Sequence, residues 1–334
     1  MFTFGIGGSE HGFDPLVLLL IALVIESYVG AAEAVFRRIK HPVQLIGALI
    51  DWFDRKLNRE SRSEADRAIR GALVVALMVS FTGGTGWAVA WLTQHHDFGW
   101  IVELLGLIML LAGRGLYDRV RTVAVALDGS GLEAGREAVS HIVGRDPRLL
   151  DAHGVSRAAI ESCAENFCDG VVAPVFWYVL FGFPGILIYK TVNTMDSMIG
   201  HMTPKYRAFG MTAARLDDVL NLIPARLSGL FIAAAAAFVP TANPLRALKI
   251  MWRDAPKHNS MNAGWPEAAA AGALDLAIAG PRKYSDRTVN APWIGGGSAR
   301  ATAKDIRRML YLYLVASLIN GMWVAAVSMV RLGS

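Results

Sequence analysis

Apolar residues gather into six stretches, at about residues 15–36, 72–93, 100–113, 171–190, 227–240 and 310–330, with charged and amide residues crowded between them. A helix needs about 20 apolar residues to cross a bilayer core. The segments 72–93 and 310–330 meet that length cleanly, and 15–36 and 100–113 also read as spans. Glu26 and Glu33 interrupt the first stretch seven residues apart, on one helical face, which suits packing inside a bundle or at the interface. Segment 227–240 is short for a span. Segment 171–190 is long enough, but FGFPG breaks its middle, and Pro and Gly there predict a re-entrant hairpin. Such a hairpin brings the polar clusters ESCAENFCDG and TVNTMDSM to the same side of the membrane. The pattern predicts an all-α, polytopic integral membrane protein, one domain over residues 1–334, with cytoplasmic helical loops.

The segments between the spans refine this. HPVQLIGALIDWFDRKLN carries Leu45, Leu49, Trp52, Phe53 and Leu57 at amphipathic spacing, predicting a helix lying on the membrane surface or against a later part of the chain. SRSEADRAIRG reads as a separate short helix, capped at Ser63 and ending at Gly71. His95, His96 and Asp97 read as an external turn, and the chain turns back after Gly113. VSRAAIESCAENFCDG reads as a helix opening near Ser156. PEAAAAGALDLAIAG reads as a helix of small residues with Pro266 in its first turn.

Composition narrows the class. The chain has 334 residues, of which 54% are hydrophobic, with mean hydropathy +0.38, which suits a multi-span membrane protein. The net charge of +5 comes from cations that flank apolar runs, as in cytoplasmic membrane loops, so nucleic acid is not the expected partner. Glu10 and Asp14 precede the first span, and Arg37, Arg38 and Lys40 follow it. This predicts an outside N-terminus, a retained first span and cytoplasmic residues 37–70. Cys163 and Cys168, five apart, match no metal spacing and read as small buried residues in a reducing compartment.

The candidate chemistry lies between Glu161 and Arg226. Glu161, Glu165 and Asp169 recur every fourth residue, a crowding that a divalent metal or a cation cluster would relieve. Asn193, Asp196, Ser197 and Gly200 form one polar helical stripe. Asp217 and Asn221 form a second such pair, with Asp218 beside them. Lys190, Lys205, Arg207 and Arg215 surround both. Carboxylates beside cations at a membrane boundary suit a metal–phosphate site, with a structural salt-bridge network as the competing reading. No Walker-type phosphate loop is present.

These residues carry a resemblance. ESCAENFCDGVVAPVFWY, YKTVNTMDSMIGH, KYRAFG, DDVLNLIPARLSG, NAGWPEAA and HPVQLIG resemble the cobalamin-biosynthesis CobD/CbiB family, from about His41 to Tyr284. Met261 stands where that family carries a Pro before the Asn of the late motif. The resemblance implies an adenosylcobinamide-phosphate synthase of the bacterial inner membrane with a cytoplasmic active site. Such an enzyme joins a propionate carboxyl of adenosylcobyric acid to the amine of (R)-1-amino-2-propanol O-phosphate. ATP would activate the carboxylate, as an acyl phosphate, with Mg²⁺. On this reading Glu165, Asp169, Asp196 and Asp217 are the candidate catalytic acids, and Glu165, Asp169 and Asp196 the candidate Mg²⁺ ligands. Asn166, Asn193 and Ser197 would orient phosphate or carboxylate oxygens. Lys190, Lys205, Arg215 and Arg226 would hold phosphates, and Asp218, Asn221 and Asn262 would complete the substrate site. Partners would be the corrinoid and amine substrates, membrane lipid and other late-pathway membrane enzymes. Two alternatives remain: a transporter, which predicts repeat symmetry that the chain lacks, and a non-catalytic membrane signalling protein, which predicts an eroded acid–amide motif.

Overall fold

A computed structural model describes residues 13–29, 41–144, 146–283, 288–289 and 291–333. Glu10, Glu33, Arg37, Arg38, Lys40 and Tyr284 lie outside the described residues. The described residues are mainly helical, with four two-residue strands among them that pair as two small antiparallel ladders, Ile278–Ala279 with Trp293–Ile294 and Arg282–Lys283 with Thr288–Val289. Among the described residues four helical stretches are long and apolar enough to cross a membrane: Glu64–His95, Gly99–Gly129, Ala152–Ile199 and Ala303–Leu332. Met211–Leu220 with Leu222–Ala235 adds a fifth if that bent pair is one span, and the shorter Pro15–Val29 is apolar too. Within Gly99–Gly129 the helix is interrupted at Leu111 and Ala112, just before the expected turn at Gly113.

The chain divides into two compact units. The first holds residues 1–112, 173–221 and 324–334, and the second holds 113–172 and 222–323. In the first unit α1 (Pro15–Val29) packs on α4 (Gly99–Leu110), while α2 (Pro42–Leu57), α3 (Glu64–His95) and α9 (Met211–Leu220) pack on α8 (Ala173–Ile199).

Helix α3 corrects the expected stop at Gly71. Ser63 caps it, accepting from Asp66 N at 3.2 Å, and it then runs unbroken to His95. Gly71 is there for packing, since a Cβ would sit 1.9 Å from the Phe209 carbonyl oxygen. Its outer face exposes Ile69, Leu73, Leu77, Phe81, Trp87 and Trp91, an apolar stripe suited to lipid. In α2 the protein-facing stripe is Ile46, Ile50 and Asp54. Leu45, Leu49 and Trp52 are exposed, leaving that part of the apolar face to the membrane surface.

Helix α8 contains the expected break. Gly182 has φ 64° and ψ −153°, outside any helix, and Pro184 follows. A Cβ on Gly185 would lie 2.3 Å from the Trp177 carbonyl oxygen, whereas eight residues of straight helix separate levels by about 12 Å. Trp177 Nε1 donates to Leu220 O at 3.1 Å, and Tyr189 bonds Asn221, the next residue, at 3.0 Å. A straight helix would put these two side chains about 18 Å apart along its axis, so the chain reverses between them. The tip packs on glycines: a Cβ at Gly86 would sit 2.6 Å from Pro184, and one at Gly106 would meet the Phe183 ring at 2.5 Å.

The second unit is built from α5 (Gly113–Gly129), α6 (Leu132–Ser140), α7 (Ala152–Phe167), α10 (Leu222–Ala235), α11 (Pro244–Asp254), α12 (Gly264–Leu274) and most of α13 (Ala303–Leu332). Its core joins Val120, Val123, Ile160, Phe167, Ile232, Met251 and Ile306 around the alanines Ala268 to Ala271 of α12. Those small side chains let α12 approach α10 and α11 closely. Helix α7 opens four residues before the expected Ser156, because Asp151 caps it by accepting from Gly154 N at 2.6 Å. Helix α12 ends at Asp275 in the left-handed conformation, so the residues after it form a strand rather than more helix. Cys163 and Cys168 are buried free thiols.

Candidate active site

In the first unit, the returning arm of α8 presents Lys190, Asn193, Asp196 and Ser197, and α9 presents Asp217 and Asp218, with Asn221 at its end. The two helices meet because Gly210 leads into α9 with no side chain, where a Cβ would lie 1.7 Å from the Ile199 carbonyl oxygen. The polar groups join in one relay. Asn193 Nδ2 donates to Asp217 Oδ1 at 3.3 Å, Asn221 Nδ2 donates to Asp217 Oδ2 at 2.9 Å, and Tyr189 OH donates to Asn221 Oδ1 at 3.0 Å. Asp217 and Asn221 are buried, with 9% and 2% exposure. A buried carboxylate is costly unless donors hold it, and two amides hold this one on opposite oxygens. Asp196 folds over Gly200, where a Cβ would strike its Oδ1 at 2.0 Å. It lies close enough to Asp217 and Asp218 for their charges to repel. Three carboxyl groups thus converge, while Lys190, buried earlier on the same arm, joins burial in opposing protonation of His41. Ser197 is exposed and its hydroxyl donates to Asn193 O, and Arg215 is exposed one turn before Asp218.

Lys205 lies in a network that the sequence did not reveal. Its Nζ donates to Asp54 Oδ2 and to Tyr206 OH, both at 2.8 Å, and the Asp54 carboxylate raises its pKa. Asn58 donates to Asp54 and to the Lys205 carbonyl, and Arg67 bonds Asn58 at 2.7 Å and that same carbonyl. The loop between α8 and α9 is thereby pinned to the start of α3. Asp54, Asn58 and Arg67 escaped notice because their partner is more than 130 residues away.

The other candidates belong to the second unit. Glu161 is buried and accepts from Ala279 N at 2.9 Å, so it braces a strand. Glu165 is exposed, and Asn166, half-buried, donates to Ser162 O at 2.9 Å. The helix then widens into a π-turn over Cys168–Val172, which carries Asp169. Such turns often mark functional positions and shift the register of the acids on either side. Arg226 donates to Asn262 Oδ1 at 3.2 Å and stacks its guanidinium 4.5 Å from the Trp265 ring centre. Among the described residues no three His, Cys, Asp or Glu side chains form a metal cage.

Comparison with known proteins gives the lineage. A family model described as CobD/Cbib protein matches residues 19–313. A cobalamin biosynthesis protein CobD of Sinorhizobium sp is 46% identical over 318 residues, covering 94% of this chain and 98% of that protein. Proteins of the same name from Brucella suis biovar 1 (strain 1330) and from a Rhodobacter capsulatus strain are 46% and 45% identical, covering 93% and 92% of this chain and 96% and 98% of their own lengths. No solved structure matches the chain. With nearly its whole length matched, the chain belongs to the CobD/CbiB family of cobalamin-biosynthesis proteins.

Proposed function

We propose that the protein is an adenosylcobinamide-phosphate synthase, an ATP-dependent ligase that forms an amide between adenosylcobyric acid and (R)-1-amino-2-propanol O-phosphate. The observation that carries this reading is the convergence of Asp196, Asp217 and Asp218 on two amide-bearing helix faces, in a chain of this family. In the reaction ATP phosphorylates the substrate carboxylate and leaves as ADP. The amine then attacks that carbonyl, phosphate departs, and the amine loses a proton. Asp196 is the carboxylate least held by other side chains, and it serves as that proton's acceptor or as an Mg²⁺ ligand. The Asn193–Asp217–Asn221–Tyr189 relay fixes the neighbouring carboxylate, and Lys190 with Arg215 supplies positive charge for phosphate oxygens. In the second unit Arg226 and Asn262 remain phosphate-binding candidates, and Glu165, Asn166 and Asp169 remain candidates there too.

Magnesium suits this donor set. Mg²⁺ takes one or two carboxylates with waters and substrate phosphates, so it does not need a cage of three acids. Asp196 with Asp217 or Asp218 offers hard oxygen donors of that kind. When bound, the ion would neutralise phosphate charge.

The arrangement favours a cytoplasmic site in an inner membrane. The α8 tip packs at Gly86 of α3, whereas Lys205 is held by Arg67 and Phe209 packs at Gly71. The polar arm of α8 therefore leads toward the start of α3, where Arg67 and Arg70 follow Arg59 and Arg62 of the preceding turn, the end retained inside by the positive-inside rule. The test is Asp196→Ala in purified protein. Turnover should fall at least about a thousandfold with the fold retained, and ordinary turnover would sink the assignment.

A further inference from the structure

A second polar centre, which the proposed chemistry leaves unused, lies in the second unit around the sequence WIGGGS. Asp254 is fully buried, with 0% exposure, and gathers four donors. Arg253 donates from Nε at 2.8 Å and Nη2 at 2.6 Å, Lys257 Nζ donates at 2.5 Å, and Gly295 N donates at 2.9 Å. The two cations are about half exposed. Asp254 thus fixes the feet of Arg253 and Lys257 against the start of a glycine loop, and the trio keeps a net positive charge. Arg253 spends two of its five N–H donors on Asp254 and Lys257 one of its three, which leaves donors to spare on two half-exposed side chains.

The loop is rigidly built. On α7, His153 and Arg157, one turn apart, bond the carbonyls of Ala301 and Ala299. Ser298 exchanges backbone bonds with Asp275 and Ala277. Two of its glycines are explained by this packing: a Cβ at Gly295, which has φ 90°, would lie 2.1 Å from Leu276 O, and one at Gly297 would lie 2.0 Å from Asp275 O. Gly296 has no such reason. Its backbone needs no positive φ, and the nearest atom to its Cβ position is Arg253 Nη2, at 3.9 Å. Among the described residues the amides of Gly296 and Gly297 have no hydrogen-bond partner. Successive free N–H groups in a fixed arch, with cations at its foot and an open glycine between them, match the requirements of an anion with several oxygens.

We infer that the Gly295–Ser298 arch, with Arg253 and Lys257, binds a phosphate group of a ligand. This site does not depend on the amide-forming reading. If that reading holds, the phosphate comes from ATP or from the phosphorylated amine.

The test is calorimetric titration of the full-length protein in nanodiscs, in EDTA and without corrinoid, so that neither Mg²⁺ nor turnover enters. Tripolyphosphate and aminopropanol phosphate are the two probes. The tighter binder identifies the source, a nucleotide in the first case and the amine substrate in the second. Gly296→Val fills the arch without touching the core and should weaken the tighter probe about tenfold. Gly115→Ala, at an open position elsewhere, should not change it. Lys257→Gln keeps a donor to Asp254 but loses the charge. It should weaken binding several-fold and flatten its salt dependence, and it carries the test if the valine variant fails to fold. Wild-type affinity in both variants, or no binding of either probe to the wild type, overturns the inference. Loss of catalysis in other variants would not bear on it.

Discussion

Asn221 and Asn193 hold the same carboxylate from two sides, and their geometry predicts very different costs of removal. Asn221 is buried, donates to Asp217 at 2.9 Å and accepts from Tyr189 OH at 3.0 Å. Asn221→Ala deletes a bond to a carboxylate, worth about 2 kcal/mol, and also removes the acceptor of the Tyr189 hydroxyl bond, at about 1 kcal/mol more. Asn193 is partly exposed, and its bond to Asp217 is 3.3 Å, near the limit of a useful contact. Asn193→Ala should cost about 0.5 kcal/mol, since water can replace the amide. In a unit of this size 1 kcal/mol moves the melting temperature by about 2–4 °C, so Asn221→Ala should lower it by about 6–12 °C and Asn193→Ala by about 1–2 °C. Thermal unfolding of the detergent-solubilised variants, followed by circular dichroism, measures both. Equal shifts, or a larger one for Asn193→Ala, would refute the claim that the Tyr189–Asn221–Asp217 arm bears the relay.

Other consequences can be checked separately. Gly210→Ala forces a Cβ against the Ile199 carbonyl and should abolish folded yield in a size-exclusion assay, whereas Gly84→Ala, with open space around it, should behave as wild type. The Arg253 guanidinium, aided by Lys257 and Gly295 N–H, holds the Asp254 carboxyl far below its ordinary value of about 3.9. A depressed acid stabilises the fold above its unfolded pKa and ceases to do so as pH falls. Acid unfolding should therefore begin below about pH 4, and Asp254→Asn should flatten that part of the pH–stability curve. Chelating Mg²⁺ should stop amide formation while leaving the helical circular dichroism spectrum unchanged, and loss of the helical signal would instead make the ion structural.

Local chemistry was legible in the sequence where it follows an unbroken helix; the expected shared face of Glu161, Glu165 and Asp169 failed because Glu161 turns to a strand and a π-turn carries Asp169. The stripe Asn193, Asp196, Ser197 and the pair Asp217, Asn221 each lie on one helix face, and FGFPG announced the reversal at Gly182 because glycine there takes a backbone that other residues resist. Spacing cannot reveal what another segment supplies. Gly71 looked like a helix stop, but it is where the Phe209 backbone crosses α3. Asp54 and Lys205 lie far apart in sequence, so their ion pair had no local sign. Asp254 had no local sign of its role, because its burial depends on α12 and the glycine arch. The apolar face of α2 was correctly seen as amphipathic, but the buried stripe of Ile46, Ile50 and Asp54 is set by what α8 presents to it.

The central claim is the amide-forming reaction, and the most direct measurement is the mass of the corrinoid after incubation with the purified protein. With adenosylcobyric acid, aminopropanol phosphate, ATP and Mg²⁺, the account predicts a gain equal to the amine less one water, with ADP formed in equal amount and no gain when ATP is withheld. An unchanged corrinoid mass with folded protein, with either the phosphorylated or the free amine, would contradict it.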